Sequence, residues 1–518
     1  MAQIHKVRLQ NFKRFETFSI IFQPEINLLI GDNEAGKSSI LTAIDIVASG
    51  SKNKVETIGL ESLFNSKVVE QFLSSRRDYV ELPVLFVEIY LEDQKDPDLN
   101  GNNNSESSIC DGLRMTCAPN DLLSREISEI IAHDDAIFPF EYYTISFQTF
   151  SGESYTGFRK FLKQILIDNS QINNEYATRE YVKAMYSSNT RDSEKNKHKN
   201  EYRKFKDSFK GNVLAELNSR LSQYAFGVRN THKANLETDL MLTEGNINIE
   251  NKGKGRQCFI KTEFALNKNS KNIDVILLEE PENHLSHINM KKLIGRIRES
   301  SGKQLLITTH SNMISTRLDL RNSILLNSNS SLAVLLKQLP SDTAKFFIKA
   351  PDNNIMEFIL SKKVILVEGD AEYILMEAFF EQEGNSLEDS DVHVISVGGT
   401  SFKRYLDIAK LLKIKTAVIR DNDTDHQTTC IEAYKDYVSD IIQVFYDPDN
   451  NRSTFEICVY EDNKAICDSM FSGGWKKLSV QEYMLKNKAD VAYELLDKKS
   501  DAIVAPSYIK DAVKWIKE

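Results

Sequence analysis

The opening stretch of the chain alternates apolar and polar positions through Val7 and Leu9 and again through Phe18, Ile20 and Phe22, the period-two pattern of half-buried strands. Ile26 to Ile30 is a short apolar run of the kind a fully buried strand uses. Past the glycine-containing turn Gly31 to Gly36, the stretch Ser38 to Val47 brings Ile40, Leu41, Ile44 and Val47 to helical spacing, so strand, loop and helix follow in order. Val84 to Leu91, rich in β-branched and aromatic residues, is another strand candidate. Strands return at Val275 to Leu278 and Leu305 to Thr308, with a helix from about Ser286 to Glu299 between them. A second series runs through Val364 to Val367, Val392 to Val397, a helix at Ser401 to Leu412, and Ala417 to Ile419, before helices near Val491 and Ile509. This alternation predicts an α/β protein with two parallel sheets covered by helices, and a boundary near Leu360 to Lys363. No internal repeat and no sustained heptad run is present, which argues against a long coiled-coil arm.

Two stretches depart from the alternation. Gln94 to Ser108 (QKDPDLNGNNNSESS) has too few apolar residues to offset its ordering entropy by burial and reads as a surface loop. Phe158 to Tyr224 lacks strand signals and reads as helices projecting from the first domain. Within it, Arg191 to Lys210 carries eight Lys/Arg against four Asp/Glu. A solvated helix face is the simpler reading of that run; nucleic-acid contact through Lys204, Lys206 and Lys210 is the alternative, because such clusters neutralise phosphates.

Composition narrows the classes further. At 518 residues the chain has room for roughly three units of ~150 residues, too many for one small binding module. With 65 basic and 75 acidic residues the net charge is −10, against a uniformly basic nucleic-acid coat but compatible with local patches. No apolar run approaches the ~20 residues of a membrane helix, and MAQIHKVRLQNFKRF lacks the apolar core of a secretion signal. A cytoplasmic protein with no membrane partner is therefore expected. Six cysteines without a C-x-x-C pair suit packing thiols in a reducing compartment, not a disulfide framework or a zinc site.

The chemistry concentrates at strand ends. Gly31-Asp32-Asn33-Glu34-Ala35-Gly36-Lys37-Ser38 fits G-x-x-x-x-G-K-[ST] without a mismatch, after a buried strand and before a helix, where backbone N–H groups can cradle phosphates. Gly31, Asn33, Gly36, Lys37, Ser38 and Ser39 are the expected nucleotide contacts, with Lys37 on the β/γ-phosphates and the Ser38 hydroxyl on Mg²⁺. The strand Val275 to Leu278 delivers Glu279 and Glu280 at its carboxyl end; phosphoryl transfer needs one acid near Mg²⁺ and one to orient or deprotonate water, roles that suit Glu279 and Glu280 respectively. His310, in Thr308-Thr309-His310-Ser311 just past another strand, is placed to sense a γ-phosphate. The separation of 242 positions from Lys37 to Glu279 is too long for a compact nucleotide kinase and fits an ATPase with an insertion.

A second acidic constellation follows. Val364 to Val367 runs into Glu368-Gly369-Asp370-Ala371-Glu372, where Glu368 and Glu372 stand four apart, and Ala417-Val418-Ile419 runs into Arg420-Asp421-Asn422-Asp423. Four carboxylates from adjacent strand ends make an all-oxygen set, which favours Mg²⁺ or Mn²⁺ over zinc. Such a set suits a metal-dependent phosphodiesterase in which two ions stabilise attacking water and leaving oxygen, with Glu368 helping to deprotonate the water.

These motifs resemble known families. The P-loop, the EEPE turn followed by Asn283-His284-Leu285, and the TTHS segment look like the ABC-type ATPase heads of the chromosome-maintenance and recombination group. That resemblance implies ATP held between two heads, hence a homodimer or a dimer of dimers. It also implies a signature loop at Lys252-Gly253-Lys254-Gly255-Arg256-Gln257, which keeps two glycines and the glutamine but departs from LSGGQ, a departure that bears on hydrolysis more than on ATP binding. The glutamate at one strand end and D-x-D at another look like the TOPRIM domain of topoisomerases, primases and certain nucleases, with Val397-Gly398-Gly399-Thr400-Ser401-Phe402 similar to its glycine-containing turn.

An ABC-type head followed by a C-terminal TOPRIM domain resembles the OLD (overcoming lysogenisation defect) family of ATP-dependent nucleases, which includes the nuclease subunit of Gabija-type defence systems and retron-associated effectors. The resemblance implies an ATPase N-terminal lobe at 1–157, a helical insertion for dimerisation or DNA contact at 158–235, an ATPase C-terminal lobe at 236–360, and a TOPRIM nuclease at 361–518. By it, Glu368, Glu372, Asp421 and Asp423 hold metal, Glu456 is a further ligand, and Lys488 stabilises charge on the scissile phosphate, with Lys498 or Lys499 as alternatives for that role. It also implies an ATP-regulated DNA endonuclease in anti-phage defence, with a partner protein or RNA as a further expectation. The rivals are an ATP-gated DNA-binding scaffold with an inactive acidic site, and a topoisomerase-like enzyme, for which none of the 19 tyrosines carries a contextual signal. A primase would call for a zinc-binding cysteine cluster, which the spacing does not supply.

Overall fold

In the computed structural model, which describes the chain except residues 1, 93–95, 134–135, 158, 170–174, 230–234, 268–272, 301, 329–331, 351–353, 385, 400 and 473–477, the period-two segments form strands as expected. Two compact units result, Met1–His310 with Asn322–Leu335, and Ser311–Arg321 with Leu336–Glu518.

In the first unit, β1 (Ile4–Phe12), β2 (Phe15–Ile21) and β3 (Ile26–Gly31) precede the helix α1 (Lys37–Ser49). Then come β4 (Leu85–Leu91), β5 (Asn100–Gly101), β6 (Cys110–Pro119), β7 (Tyr143–Thr149) and β8 (Gln164–Asp168). A small hairpin, β9 (Thr243–Glu244) and β10 (Ile247–Asn248), leads on to β11 (Val275–Glu279), β12 (Gln304–Thr308), β13 (Ser323–Leu326) and β14 (Ala333–Leu335). One sheet is antiparallel, in the order β2-β1-β4-β6-β5 with β7 also on β6. The other runs β14-β13-β3-β12-β11-β8 and is parallel except for β14. Ile40, Leu41, Ile44 and Val47 of α1 are buried in one apolar core with Val7, Leu9, Val87 and Met115 from the first sheet and Leu29, Leu277, Leu306 and Ile324 from the second. The helical period read from the sequence is thus the face that holds the two sheets together. Gln304 adds a polar tie: fully buried, its side chain accepts from Ile4 N (2.8 Å) and donates to Ile4 O (2.8 Å) and Gln23 O (2.9 Å).

The second unit has a four-stranded, wholly parallel sheet, β16-β15-β17-β18, built from β15 (Lys363–Val367), β16 (Val392–Ser396), β17 (Lys415–Ile419) and β18 (Ile442–Phe445). Ile365, Val367, Ala417 and Ile419 pack into a core with the helices Asp370–Gln382, Phe455–Asp462, Lys488–Lys499 and Ser507–Lys517.

Three readings of the sequence need correction. The stretch 158–224 is not all helix: its helices Glu175–Asn189, Asp192–Asn212 and Ala215–Ser219 are preceded by β8, a five-residue strand added to the edge of the nucleotide sheet. Its apolar run is too short to separate from its polar flanks by pattern alone. The polar stretch 94–108, of which Gln94 and Lys95 lie outside the described residues, is not simply a loop. Asp111 accepts from Asp96 N (3.2 Å) and Asn100 Nδ2 (2.8 Å), and the buried Glu88 accepts from Ser105 N (2.7 Å) and Oγ (2.6 Å). Hydrogen bonds to two buried acids order a segment that apolar burial cannot. Finally, the second unit takes in chain before residue 360, because Phe347 and Phe358 of the helices Ser341–Lys349 and Ile355–Leu360 meet the buried Tyr405 edge-on at 5.4 and 5.2 Å. In the basic run, Lys206 is buried against Arg229 O (3.2 Å), whereas Lys204, paired with Glu201 (2.8 Å), and Lys210 are exposed.

Candidate functional site

The first site forms where β3 turns into α1. Gly31 comes so close to β13 that an added Cβ would stand 2.2 Å from Leu326 O, and Gly36 adopts φ 92° with the Phe15 ring where its Cβ would be. Only glycine allows the loop to wrap this tightly onto the helix N-terminus. Lys37 is buried and folded back on the loop, donating to Gly31 O and Asp32 O at 2.8 Å each. Its burial pulls its pKa down, against the pull of Glu280, Asp32 and Glu282. Asn33, Ser38 and Ser39 lie on the same loop and first helical turn, and the Ser38 hydroxyl is near enough to Glu279 to pull that carboxyl's pKa down in part.

Glu279 ends β11, flanked in register by Asp168 on β8 and Thr308 on β12. Burial raises its pKa, and Asp168 and Glu280 add to the rise. Glu280 takes φ 43°, its N–H on Thr308 O (3.0 Å), its carboxylate held by Asn283 Nδ2 (2.7 Å) and 3.8 Å from His310 Nε2. Burial and Lys37 hold the His310 pKa down, against the pull of Glu280 and Asp32. Glu282, which the sequence reading did not assign, accepts from Thr309 Oγ1 (2.8 Å) and His310 N (2.7 Å) and so fixes the segment carrying His310. Asp168 was missed for the same reason as β8. The signature-like segment opens the helix Lys254–Leu266, with Gly255 so near His284 O that a Cβ would stand 2.2 Å away. Gln257 turns inward, donating to Glu250 O (3.1 Å) and Lys252 O (2.8 Å).

The second site lies at the carboxyl ends of β15 and β17. Glu368, Gly369, Asp370, Ala371, Glu372, Asp421, Glu456, Lys488 and Ala489 line a cavity of about 180 Å³. Glu372 is in the first turn of the helix Asp370–Gln382, Glu456 in that of Phe455–Asp462, and both are buried. Asp421 accepts from Phe455 N (2.8 Å). Burial and the neighbouring Glu456 and Glu368 push Glu372 up to about 7; burial and Glu372, Glu368 and Glu456 push Asp421 up to about 8. Lys488 Nζ pairs with Glu456 Oε1 at 2.9 Å, while Oε2 of that 5%-exposed carboxylate is buried without a hydrogen-bond partner. The Lys488 pKa is lowered by burial but raised on balance by Glu456, Asp421 and Glu372. Lys498 instead pairs with Glu494 on an exposed helix face, and Lys499 is exposed; neither lines the cavity.

Asp423 departs from the expected four-carboxylate cluster. It takes φ 48°, is half exposed, and does not line the cavity. Arg420, not assigned in the sequence reading, bridges it to Glu368: Nη2 meets Asp423 Oδ2 at 2.6 Å and Nη1 meets Glu368 Oε2. Asn422 is buried and donates to Asp447 O (2.8 Å) and Asp449 O (2.9 Å), which anchors the D-x-D turn. Of the turn at 397–402, Thr400 lies outside the described residues, and Gly398 and Gly399 adopt φ 64° and 109°. Among the described residues, no three acidic, histidine or cysteine side chains stand close enough as they are to ligate one ion. The donor chemistry nonetheless fits a hard divalent cation: buried carboxylates that repel one another, one with an oxygen lacking a partner.

Residues 359–423 match the family described as overcoming lysogenization defect protein-like, TOPRIM domain, and residues 3–240 match the AAA ATPase domain family. An ATPase domain is thus followed along the chain by an OLD-like TOPRIM domain. The chain is similar to endonuclease GajA of Bacillus cereus (strain VD045), 26% identical over 163 residues that cover 31% of this chain and 28% of that protein. It is similar over 50 residues to the DNA replication and repair protein RecF of Hydrogenovibrio crunogenus (strain DSM 25203 / XCL-2), at 42% identity, covering 10% and 14%. Both matches thus span under a third of the curated relative's length. The C-terminal region of the Burkholderia pseudomallei OLD protein aligns over 30% of this chain and 98% of that one, with 18% identity and a TM-score of 0.24. The OLD-like match takes in Glu368, Glu372, Asp421 and Asp423; the AAA match takes in the P-loop. No helix among the described residues is long and apolar enough to cross a membrane.

Proposed function

We propose that this chain is an OLD-family enzyme, an ATP-regulated, divalent-metal-dependent DNA endonuclease. The observation that carries the reading is the cavity at the carboxyl ends of a parallel sheet, where the buried Glu372 and Glu456 and the half-buried Asp421 stand together beside Lys488. Buried acids crowded against one another destabilise a fold unless a cation relieves them, so a site that keeps them is built for one. Glu372, Asp421 and Glu456 would hold Mg²⁺ or Mn²⁺; the ion, when bound, supplies Lewis acidity toward a phosphodiester and an acidified water. The protein's own groups do the rest. Glu368, which lines the cavity, is the acceptor for the water proton, and Lys488 releases Glu456 to meet the charge that develops on the phosphate. The similarity to GajA, an endonuclease, supports DNA as the substrate.

In the first unit, the P-loop with Lys37, Ser38 and Ser39 would hold ATP and Mg²⁺, with Glu279 near the ion, Glu280 on the water and His310 as the γ-phosphate contact. ATP acts as a switch on access to the acidic site, in a homodimer or dimer of dimers, and the biological role is anti-phage defence of the Gabija or retron kind, in the cytoplasm.

The test is cleavage of supercoiled plasmid with Mg²⁺ or Mn²⁺, with and without ATP, by wild type, Asp421→Ala and Lys37→Ala. Nicking or linearisation lost in Asp421→Ala supports the nuclease, and the Lys37→Ala lane gives the sign of the ATP effect. Relaxation without nicking would favour a topoisomerase-like enzyme. Absence of cleavage in every wild-type lane would favour the scaffold reading.

A further inference from the structure

We infer that Arg420 stands in for one of two metal ions, so that the acidic site binds a single divalent cation per chain. The inference rests on the metal-dependent reading of this site and deepens it. Two-ion phosphodiester chemistry needs carboxylates in two groups, each open to its own cation. Here the groups are unequal. Glu372, Asp421 and Glu456 line the cavity, and Glu456 keeps one buried oxygen without a partner. Glu368, which lines the same cavity, and Asp423, which does not, follow the neighbouring parallel strands β15 and β17 and are joined by one guanidinium, 8% exposed, with one nitrogen on each carboxylate.

That guanidinium cannot leave by losing a proton, because arginine stays charged throughout the pH range of a folded protein. Nor can it swing away cheaply. Its chain is fixed by the β17 register, with its backbone N–H on Phe445 O at 3.0 Å, and moving it would leave a buried charge without its partners. Charge counting agrees. With all five carboxylates (Glu368, Glu372, Asp421, Asp423, Glu456) ionised, as a bound cation would require of Glu372 and Asp421, Arg420 and Lys488 leave three negative charges. One divalent ion reduces these to one; a second would make the site net positive before any phosphate arrives. The place of a second ion between Glu368 and Asp423 is already held by a cation that belongs to the chain.

The experiment counts Mn²⁺ bound to the nucleotide-free full chain by electron paramagnetic resonance of the free ion, in a Ser38→Ala background that removes the P-loop hydroxyl from the count. One tight ion is expected, lost in Asp421→Asn. Arg420→Gln is expected to bind two, and Arg420→Lys, which keeps a positive charge, to return to one. Should Arg420→Gln fail to fold by circular dichroism, half-exposed Asp423 gives the second route: Asp423→Asn keeps one ion with affinity changed less than about threefold. Two ions on the unchanged site, one ion on a folded Arg420→Gln, or loss of an ion in Asp423→Asn would each overturn the assignment of Arg420 while leaving the metal-dependent reading in place. No ion at all, or a count that Asp421→Asn does not change, would overturn that reading and this inference together.

Discussion

Asp421 and Glu372 hold more protons in the folded chain than they would unfolded, because burial and mutual repulsion push them up to about 8 and about 7 from the ordinary carboxylate range near 4. The sign of the consequence is fixed. Between those limits the unfolded state binds fewer protons than the folded one, so stability falls as pH rises, by at most about 1.4 kcal/mol per pH unit for each group. Without divalent cations the thermal midpoint should therefore fall from pH 5.5 to pH 8 and level off above it. Asp421→Asn, with no proton to lose, should flatten the curve, and saturating Mn²⁺ should flatten it in the wild type by removing the repulsion. A midpoint that rises over the same interval in the metal-free wild type would show that these acids are not the strained groups of the site. Lys488 makes a complementary prediction at the same scale. Lys488→Met removes the partner of buried Glu456, so metal-free stability should drop by about 1–3 kcal/mol in urea unfolding, and part of the loss should return with Mn²⁺.

Elements explain what was legible in the sequence and what was not. The P-loop could be read because its glycines answer to local geometry: the positive φ of Gly36 and the contact of Gly31 with Leu326 O require them whatever the rest of the fold does. The placing of Glu368 and Asp421 could be read because apolar strands end just before them, where parallel sheets hold ligands, and that of Glu372 because it stands four residues beyond Glu368, in the first turn of the helix that follows. Asp423 broke the pattern because its place depends on Arg420, a side-chain pairing that no periodicity reports. The strand β8 and its Asp168 were illegible because five residues are too few to declare a period, and because parallel pairing with β11 is decided a hundred residues further on. Gln304 is of the same kind: a polar residue opening a strand, whose tie to Ile4 and Gln23 bridges 300 and 281 positions. Gln304→Leu keeps the volume but takes the side-chain partner from the N–H and carbonyl of Ile4 and leaves Gln23 O with Asn27 Nδ2 alone, and should cost about 1–3 kcal/mol by urea unfolding of the full chain. A cost below about 0.5 kcal/mol would mean that water reaches those groups and the tie is dispensable.

At the scale of the whole molecule, the two sites belong to two compact units with separate cores and separate sheets, which makes their ligand occupancy separable even where their activities are not. Lys37 is held by the loop it serves, through Gly31 O and Asp32 O, and Asp421 by the backbone of the helix that carries Glu456. Removing either leaves the other unit's core and charges untouched. Lys37→Ala should therefore weaken binding of a fluorescent ATP analogue at least tenfold while the Mn²⁺ count at the acidic site stays the same. Asp421→Asn should abolish that count and leave nucleotide affinity within about twofold, since the substitution is neutral in volume and lies outside the nucleotide unit. A nucleotide that altered the Mn²⁺ affinity of the wild type would reveal a coupling free energy between the sites, and linkage requires Mn²⁺ to alter nucleotide affinity by the same factor. Equal occupancies with unequal cleavage rates would place the switch elsewhere, in the access of DNA to the cavity and not in the loading of its metal.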